Sequence, residues 1–326
     1  MTKNLLIASI IAFLAPIAAY AAAPVLKFRP DSTFHILQVT DLHYIHGDSR
    51  CDSVITHLQE AIRAEAPDLV VLTGDLIYGN ARESIRNVIS AVSSAGVPFA
   101  VTFGNHDDES GLSRRELFDI ICSYPGNLTD SVAGIPGVTN FVLPVLSSDG
   151  KRDAAAIYCF DSHSYCRLPG VKGYDYIKSG QIDWYRSESQ RFAEANSGEP
   201  LPAIAFFHIP LPEFAEATSD ESMQLVGTCG EKCCTAVLNS GLFAAFKERG
   251  DVFAVFVGHD HDNDYATVLH GILLAYGRYS GGDTEYNHLG PRGYRTIILR
   301  ESRPSLSTAI RLSTSAILHP LTFPMQ

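Results

Sequence analysis

Five short apolar runs, each closed by Asp, Asn or His, restrict the fold of this chain more than any other feature. Phe34–Val39 leads through Thr40 into Asp41-Leu42-His43, and Leu69–Leu72 leads into Gly74-Asp75. Phe99–Phe103 runs into Gly104-Asn105-His106-Asp107, Ala203–Phe207 into His208, and Val252–Val257 into Gly258-His259-Asp260-His261. Their lengths and their Val, Ile and Phe content mark buried strands, as they do for Ala155–Phe160 and Ile272–Tyr276. Between them the spacing of Ile55, Leu58 and Ile62 predicts a helix over Asp52–Ala66, which Pro67 ends. Further helices are expected over Arg82–Ser94 and Ser179–Ala195. Strand–helix–strand alternation implies parallel pairing with helices on the sheet faces, an α/β class. Strand character prevails from Thr267 to Leu312, which predicts added antiparallel strands. No repeat or linker divides the chain, so one domain is expected.

In an open α/β sheet, ligands gather beyond the carboxyl ends of the strands. Five strands therefore deliver Asp, Asn and His side chains to one edge. Mixed oxygen and imidazole donors suit zinc, iron or manganese rather than calcium. A lone Asp-x-His, a Gly-Asp pair or a single His after a strand commonly marks a turn or a hydrogen-bonded core residue. Five ordered motifs, each at a strand end, point together to a metal site.

The ends and the bulk composition bound the setting. Lys3, an apolar run over Leu5–Ala15 and Ala19-Tyr20-Ala21 have the layout of a secretory signal peptide. We therefore expect a leader over residues 1–21, a single domain over 22–326, and export to the periplasm, cell exterior or secretory pathway. A formal net charge of −11 argues against nucleic acid as a partner, although metal ions can reverse the sign inside a site. Of seven cysteines, Cys229, Cys233 and Cys234 are crowded into one turn-like segment. A zinc knot there lacks a fourth ligand, so a local disulfide is the expectation for an exported protein.

This ordered set resembles the calcineurin-like metallophosphoesterases from Phe34 to about Tyr294. The resemblance implies a four-layer αββα sandwich of two mixed sheets flanked by helices. It also implies a first metal held by Asp41, His43 and His261, and a second by Asn105, His208 and His259, with Asp75 bridging. Two Fe, Zn or Mn ions about 3.5–4 Å apart would bind a phosphate ester and activate water for in-line attack. His106 would protonate the leaving oxygen or stabilise the transferring phosphoryl group.

Gly74-Asp75-Leu76-Ile77-Tyr78 is similar to the Gly-Asp-x-x-Tyr motif of purple acid phosphatases, whose Tyr binds ferric iron. Gly104–Ser110 with Ser113-Arg114, and the segments beginning at His208 and Gly258, resemble the small purple acid phosphatase-like proteins of plants, fungi and bacteria. Purple acid phosphatases of the well-known type carry Gly where His43 stands, so His43 and Tyr78 compete for one place. We favour His43 as the ligand. Serine/threonine protein phosphatases have Asp where Tyr78 stands, and that difference argues against that group. Arg50, Arg114 and Arg278 are candidates for contacting substrate phosphate, each equally readable as a structurally paired Arg. The resulting expectation is an exported phosphatase acting on small phosphate monoesters. Its alternatives are a phosphodiesterase using the same site, a non-catalytic metal-binding module, and a redox protein using the clustered cysteines.

Overall fold

The computed structural model describes residues 24–220, 222–301 and 303–325, so the expected leader lies outside the described residues. In chain order β1 is Thr33–Val39, β2 Tyr44–Ile45, α1 Val54–Glu65, β3 Leu69–Thr73, β4 Ile77–Gly79, α2 Ala81–Ser93 and β5 Phe99–Thr102. There follow α3 Arg114–Cys122, β6 Phe141–Leu146, β7 Asp153–Cys159, α4 Ser179–Ala195, β8 Ala203–Phe206, α5 Pro212–Ser219 and α6 Leu242–Arg249. The chain ends with β9 Val252–Val257, β10 Ala266–Leu269, β11 Ile272–Tyr276, β12 Gly293–Arg300, β13 Leu306–Leu312 and β14 Ile317–Phe323. The seven strands and three helices expected from the sequence are present, with ends shifted by at most two residues.

Two mixed six-stranded sheets result, in the orders β14-β13-β12-β1-β3-β5 and β10-β11-β9-β8-β7-β6. The pairs β1–β3–β5 and β7–β8–β9–β11 are parallel, while β12 to β14 and the edges β6 and β10 are antiparallel. The antiparallel additions expected up to Leu312 continue through β14 to Phe323.

Alternation within the strands explains the layering, because successive side chains leave opposite faces. From β3, Leu69 and Val71 enter a core shared with Ile204 and Phe206 of β8, between the sheets. Val70 and Leu72 point the other way and pack with Leu58 of α1 and Ile85 and Val88 of α2. On the second sheet Ala205 and Val255 face Tyr185 of α4 and Phe246 of α6. Helices thus cover both outer faces, giving the four-layer αββα sandwich.

Polar bonds fix one sheet against the other inside this apolar sandwich. Gln38 of β1 donates to Thr73 Oγ1 and to the Val257 carbonyl at the end of β9, each at 3.0 Å. Arg295 of β12, fully buried, donates to the carbonyls of Tyr276 (2.6 Å) and Asp264 (2.8 Å) and to Thr308 Oγ1 (3.1 Å). Nearby, Arg278 and Asp264 form a buried ion pair at 2.7 Å.

The expected disulfide is not made: all seven cysteines carry free thiols. Cys233 turns inward, with its sulfur 3.2 Å from the Tyr265 hydroxyl. The sulfurs of Cys229 and Cys234 point to the carbonyls of Glu231 and Lys232. Backbone bonds hold the loop instead: Gly230 N–H donates to Asp262 O, and Cys234 N–H to the Asp260 carboxylate.

Arg295→Met keeps most of the side-chain volume but strips three buried acceptors of their donor. At about 1–3 kcal/mol for each buried polar group left unpaired, we expect a loss of at least ~2 kcal/mol. A fall in the urea unfolding midpoint would register it, and an unchanged midpoint would mean that Arg295 does not lock the sheets.

Candidate metal centre

Every expected ligand sits where a strand of one sheet or the other ends. β1 delivers Asp41 and His43, β3 delivers Asp75, and β5 delivers Asn105. From the second sheet β8 delivers His208, and β9 delivers His259 and His261. The backbone turns sharply at these ends. Asp41, His43, Asp75 and His259 take φ of 53°, 41°, 50° and 83°, a region that costs a non-glycine residue about 1–3 kcal/mol. Cross-loop bonds help to hold them there, with Asp41 N–H donating to Gly74 O and His43 N–H to Asp75 O. Gly104 leaves room for the site itself, since a Cβ there would lie 2.1 Å from Asp75 Oδ1.

Two clusters converge. Asp41, His43 and His261 form one, and Asp75, His208 and His259 the other; within each, the donor atoms lie within 4.8 Å of one another. His43 Nε2 is 3.1 Å from His261 Nε2, and His208 Nε2 is 3.3 Å from His259 Nδ1 and 3.0 Å from Asp75 Oδ2. Asp75 Oδ2 also lies 3.8 Å from His43 Nε2, so its carboxylate stands between the clusters. Burial holds His43 and His259 well below the ordinary imidazole pKa, leaving neutral rings with lone pairs to offer. His208 Nδ1 donates to Thr73 O at 2.8 Å and His261 Nδ1 to Tyr286 O at 2.9 Å, which leaves Nε2 of each ring facing its cluster.

A pair of metal ions fits this set. The amide oxygen and nitrogen of Asn105, with His43 Nδ1 and His259 Nε2, are buried without a hydrogen-bond partner among the described residues. Buried polar atoms are seldom left unpaired unless something else binds them. Four imidazoles, an amide and two carboxylates on this scale are the donors of a transition-metal site.

Tyr78 belongs to neither cluster. Its ring stands edge-on to His43 at 5.4 Å and to His106 at 5.1 Å, beside the place His43 occupies and not in it. His106 lies at the mouth, its ring 5.5 Å from that of His43 and its Nδ1 2.6 Å from Glu109 Oε2. Burial favours the neutral ring, but Asp75 and Glu109 outweigh it and raise the His106 pKa.

The three arginines are turned elsewhere. Arg114 bonds Asp161 and the carbonyls of Gly104 and His163, bracing the Asn105 loop. Arg278 is spent on Asp264 and on the carbonyls of Leu289 and Pro291. Arg50 is exposed and paired with Asp48 at 2.6 Å. Neutralising a buried or neighbouring carboxylate outweighs leaving a guanidinium free for a ligand.

Asp107 has a role that its place in the Gly-Asn-His-Asp motif only hinted at. Its carboxylate accepts from the backbone N–H groups of Gly104, Asp75, Leu76 and Ile77 at 2.7–3.3 Å, tying the β3 and β5 loops together. Burial and Asp75 push its carboxyl up to about 7, against those four donors.

Residues 34–263 match the family described as calcineurin-like phosphoesterase. A relative from Arabidopsis thaliana named probable inactive purple acid phosphatase 29 is 33% identical, over 86% of this chain and 79% of its own length. Phosphatase DCR2 of Saccharomyces cerevisiae is 31% identical, over 77% of this chain and 49% of its own. A dimetal phosphatase from Danio rerio shares the fold, with a TM-score of 0.63 at 14% identity, covering 89% of this chain and 98% of that one. The chain belongs to the calcineurin-like phosphoesterase family.

Elemental analysis separates the roles read from this geometry. Tyr78→Phe is expected to keep the metal content of the native protein and His43→Ala to lose at least half of it; the reverse result would make Tyr78 the ligand. Asp107→Asn places an amide NH2 against backbone N–H donors, so lowered metal content and a lowered Tm are expected, with no change in either refuting its positioning role.

Proposed function

We propose that this chain is an exported, two-metal phosphatase that hydrolyses small phosphate monoesters. The observation that carries the reading is Asp75 standing between two buried donor clusters, with the unpartnered Asn105 amide beside it. Asp41, His43 and His261 would hold one ion, and Asn105, His208 and His259 the other. Ions bound there supply Lewis acidity, neutralising phosphate oxygens and lowering the pKa of water.

The chain's own residues do the rest. Asp75, fixed by the N–H of His106 at 2.8 Å, keeps the two halves in register. Glu109 orients His106 through Nδ1, so Nε2 is the nitrogen left to hand a proton to the departing alkoxide. Buried walls of Leu42, Phe103 and Tyr279 limit the access of bulk water behind the reacting centre.

The name carried by the Arabidopsis relative makes a non-catalytic metal-binding protein the second reading. Here the seven expected ligands and His106 are all present, a donor set that supports turnover. Incubating metal-loaded protein with nitrophenyl phosphate and with bis-nitrophenyl phosphate decides the matter. We expect the monoester to be the better substrate. Preference for the diester would transfer the site to a phosphodiesterase, and no turnover of either would favour the second reading. Asp75→Asn should abolish activity together with metal, whereas His106→Ala should lower kcat by about 100- to 10,000-fold with metal retained. Metal loss in the His106 variant would show that residue to be a ligand.

A further inference from the structure

Four tyrosines stand around the mouth of the metal centre. Tyr286 stacks on His261 at 4.4 Å and 30°, and Tyr174 meets His259 edge-on at 4.2 Å. Tyr165 stacks in turn on Tyr174 at 5.5 Å, and Tyr78 lines His43 and His106. The rings therefore flank both donor clusters. The outermost, Tyr165 and Tyr286, remain 45% and 42% exposed, a large exposure for aromatic side chains this close to a site.

Carboxylates accompany the rings. The Tyr286 hydroxyl donates to Glu231 Oε2 at 2.9 Å. Glu285 stands beside the Tyr78 hydroxyl, and Glu109 lies close to Tyr165 as well as to His106. Arg50, Arg114 and Arg278 are all paired with other carboxylates. A phosphoryl group would thus be met by the metal ions, while the organic part of the ester meets aromatic faces and negative charge.

That wall discriminates among leaving groups. A nucleotide or other polyanion is repelled by Glu109, Glu231 and Glu285. A neutral aromatic alcohol would use the rings but gain nothing from the carboxylates. An ammonium or quaternary ammonium group uses both, since the negative face of an aromatic ring attracts a cation and neighbouring carboxylates add to the attraction. Resting on the phosphatase reading above, we propose that the preferred substrate is a phosphate monoester of a cationic amino alcohol, its ammonium group seated among Tyr165, Tyr286, Glu109, Glu231 and Glu285. Water adds its oxygen to phosphorus as the P–O bond to the alcohol breaks. The alcohol leaves with a proton, and inorganic phosphate remains.

Metal-loaded protein tested with phosphocholine, phosphoethanolamine, glycerol phosphate and AMP examines this directly. At low ionic strength kcat/KM should favour phosphocholine over glycerol phosphate by about tenfold, with AMP poorest. The ratio should shrink toward one at high salt and in Glu231→Gln with Glu285→Gln, and also in Tyr286→Leu. Equal kcat/KM values for phosphocholine and glycerol phosphate, or a preference that survives all these changes, would overturn the proposal. If no ester is hydrolysed, calorimetric affinities for the same compounds decide it. Tighter phosphocholine binding that weakens in the variants upholds the collar and refutes only hydrolysis, and equal affinities refute the collar.

Discussion

Asp75 carries its carboxylate at the end of β3 on a backbone with φ of 50°, between two sets of histidines. One oxygen accepts the His106 N–H at 2.8 Å, and the other faces His208 Nε2 at 3.0 Å and His43 Nε2 at 3.8 Å. Its own N–H is taken by Asp107. A buried carboxylate in a strained turn is costly unless positive charge meets it. The histidines around it hold Asp75 well below the usual carboxylate range even against burial. On the reading proposed above, ions bound beside Asp75 would add to that compensation, so their binding would also stabilise the fold.

The same requirement explains the polar links inside an otherwise apolar sandwich. One sheet supplies Asp41, His43, Asp75 and Asn105, and the other His208, His259 and His261. A slide of one sheet over the other by a fraction of an ångström would pull each cluster apart, and apolar packing alone resists sliding poorly. Gln38 and Arg295, cross-strand partners in β1 and β12, both bond across the gap at the ligand-bearing ends. Directional bonds set the register that non-directional burial leaves free.

Strand ends were legible in the sequence because buried parallel strands are uniformly apolar, so the first polar residue marks where each stops. Strand ends placed the candidate ligands at one edge, while the resemblance picked His43 and His261 out from neighbours such as His106, Asp107 and Asp260. Elements with weaker patterns did not show. In α3 only Leu117 and Ile121 are buried over nine residues, too few to display a helical period, although the Ser113–Glu116 capping box marks its start. The edge strand β6 carries Pro144 and is mostly half-buried, which hides its character. The partners of Arg114 and Arg278, and the four N–H groups converging on Asp107, lie on other loops and have no signature in local spacing. Cysteine proximity in the chain likewise misled: Cys233 packs into the core against Tyr265 and stays a free thiol although Cys229 lies beside it.

The group that orients His106 ties the chemistry to the shape of the mouth. A histidine at the His106 position needs a carboxylate to fix its tautomer and direction. Here Glu109, three residues further along the same loop, meets Nδ1 at 2.6 Å. On the β3 loop, the position after Ile77 holds an aromatic ring packed edge-on against both His43 and His106. The carboxylate and its histidine thus share one loop, which Asp75 and Asp107 tie to the end of β3. On the reading proposed above, the group acting on the leaving oxygen would thereby be separate from the aromatic and acidic wall that would meet the organic part of the ligand.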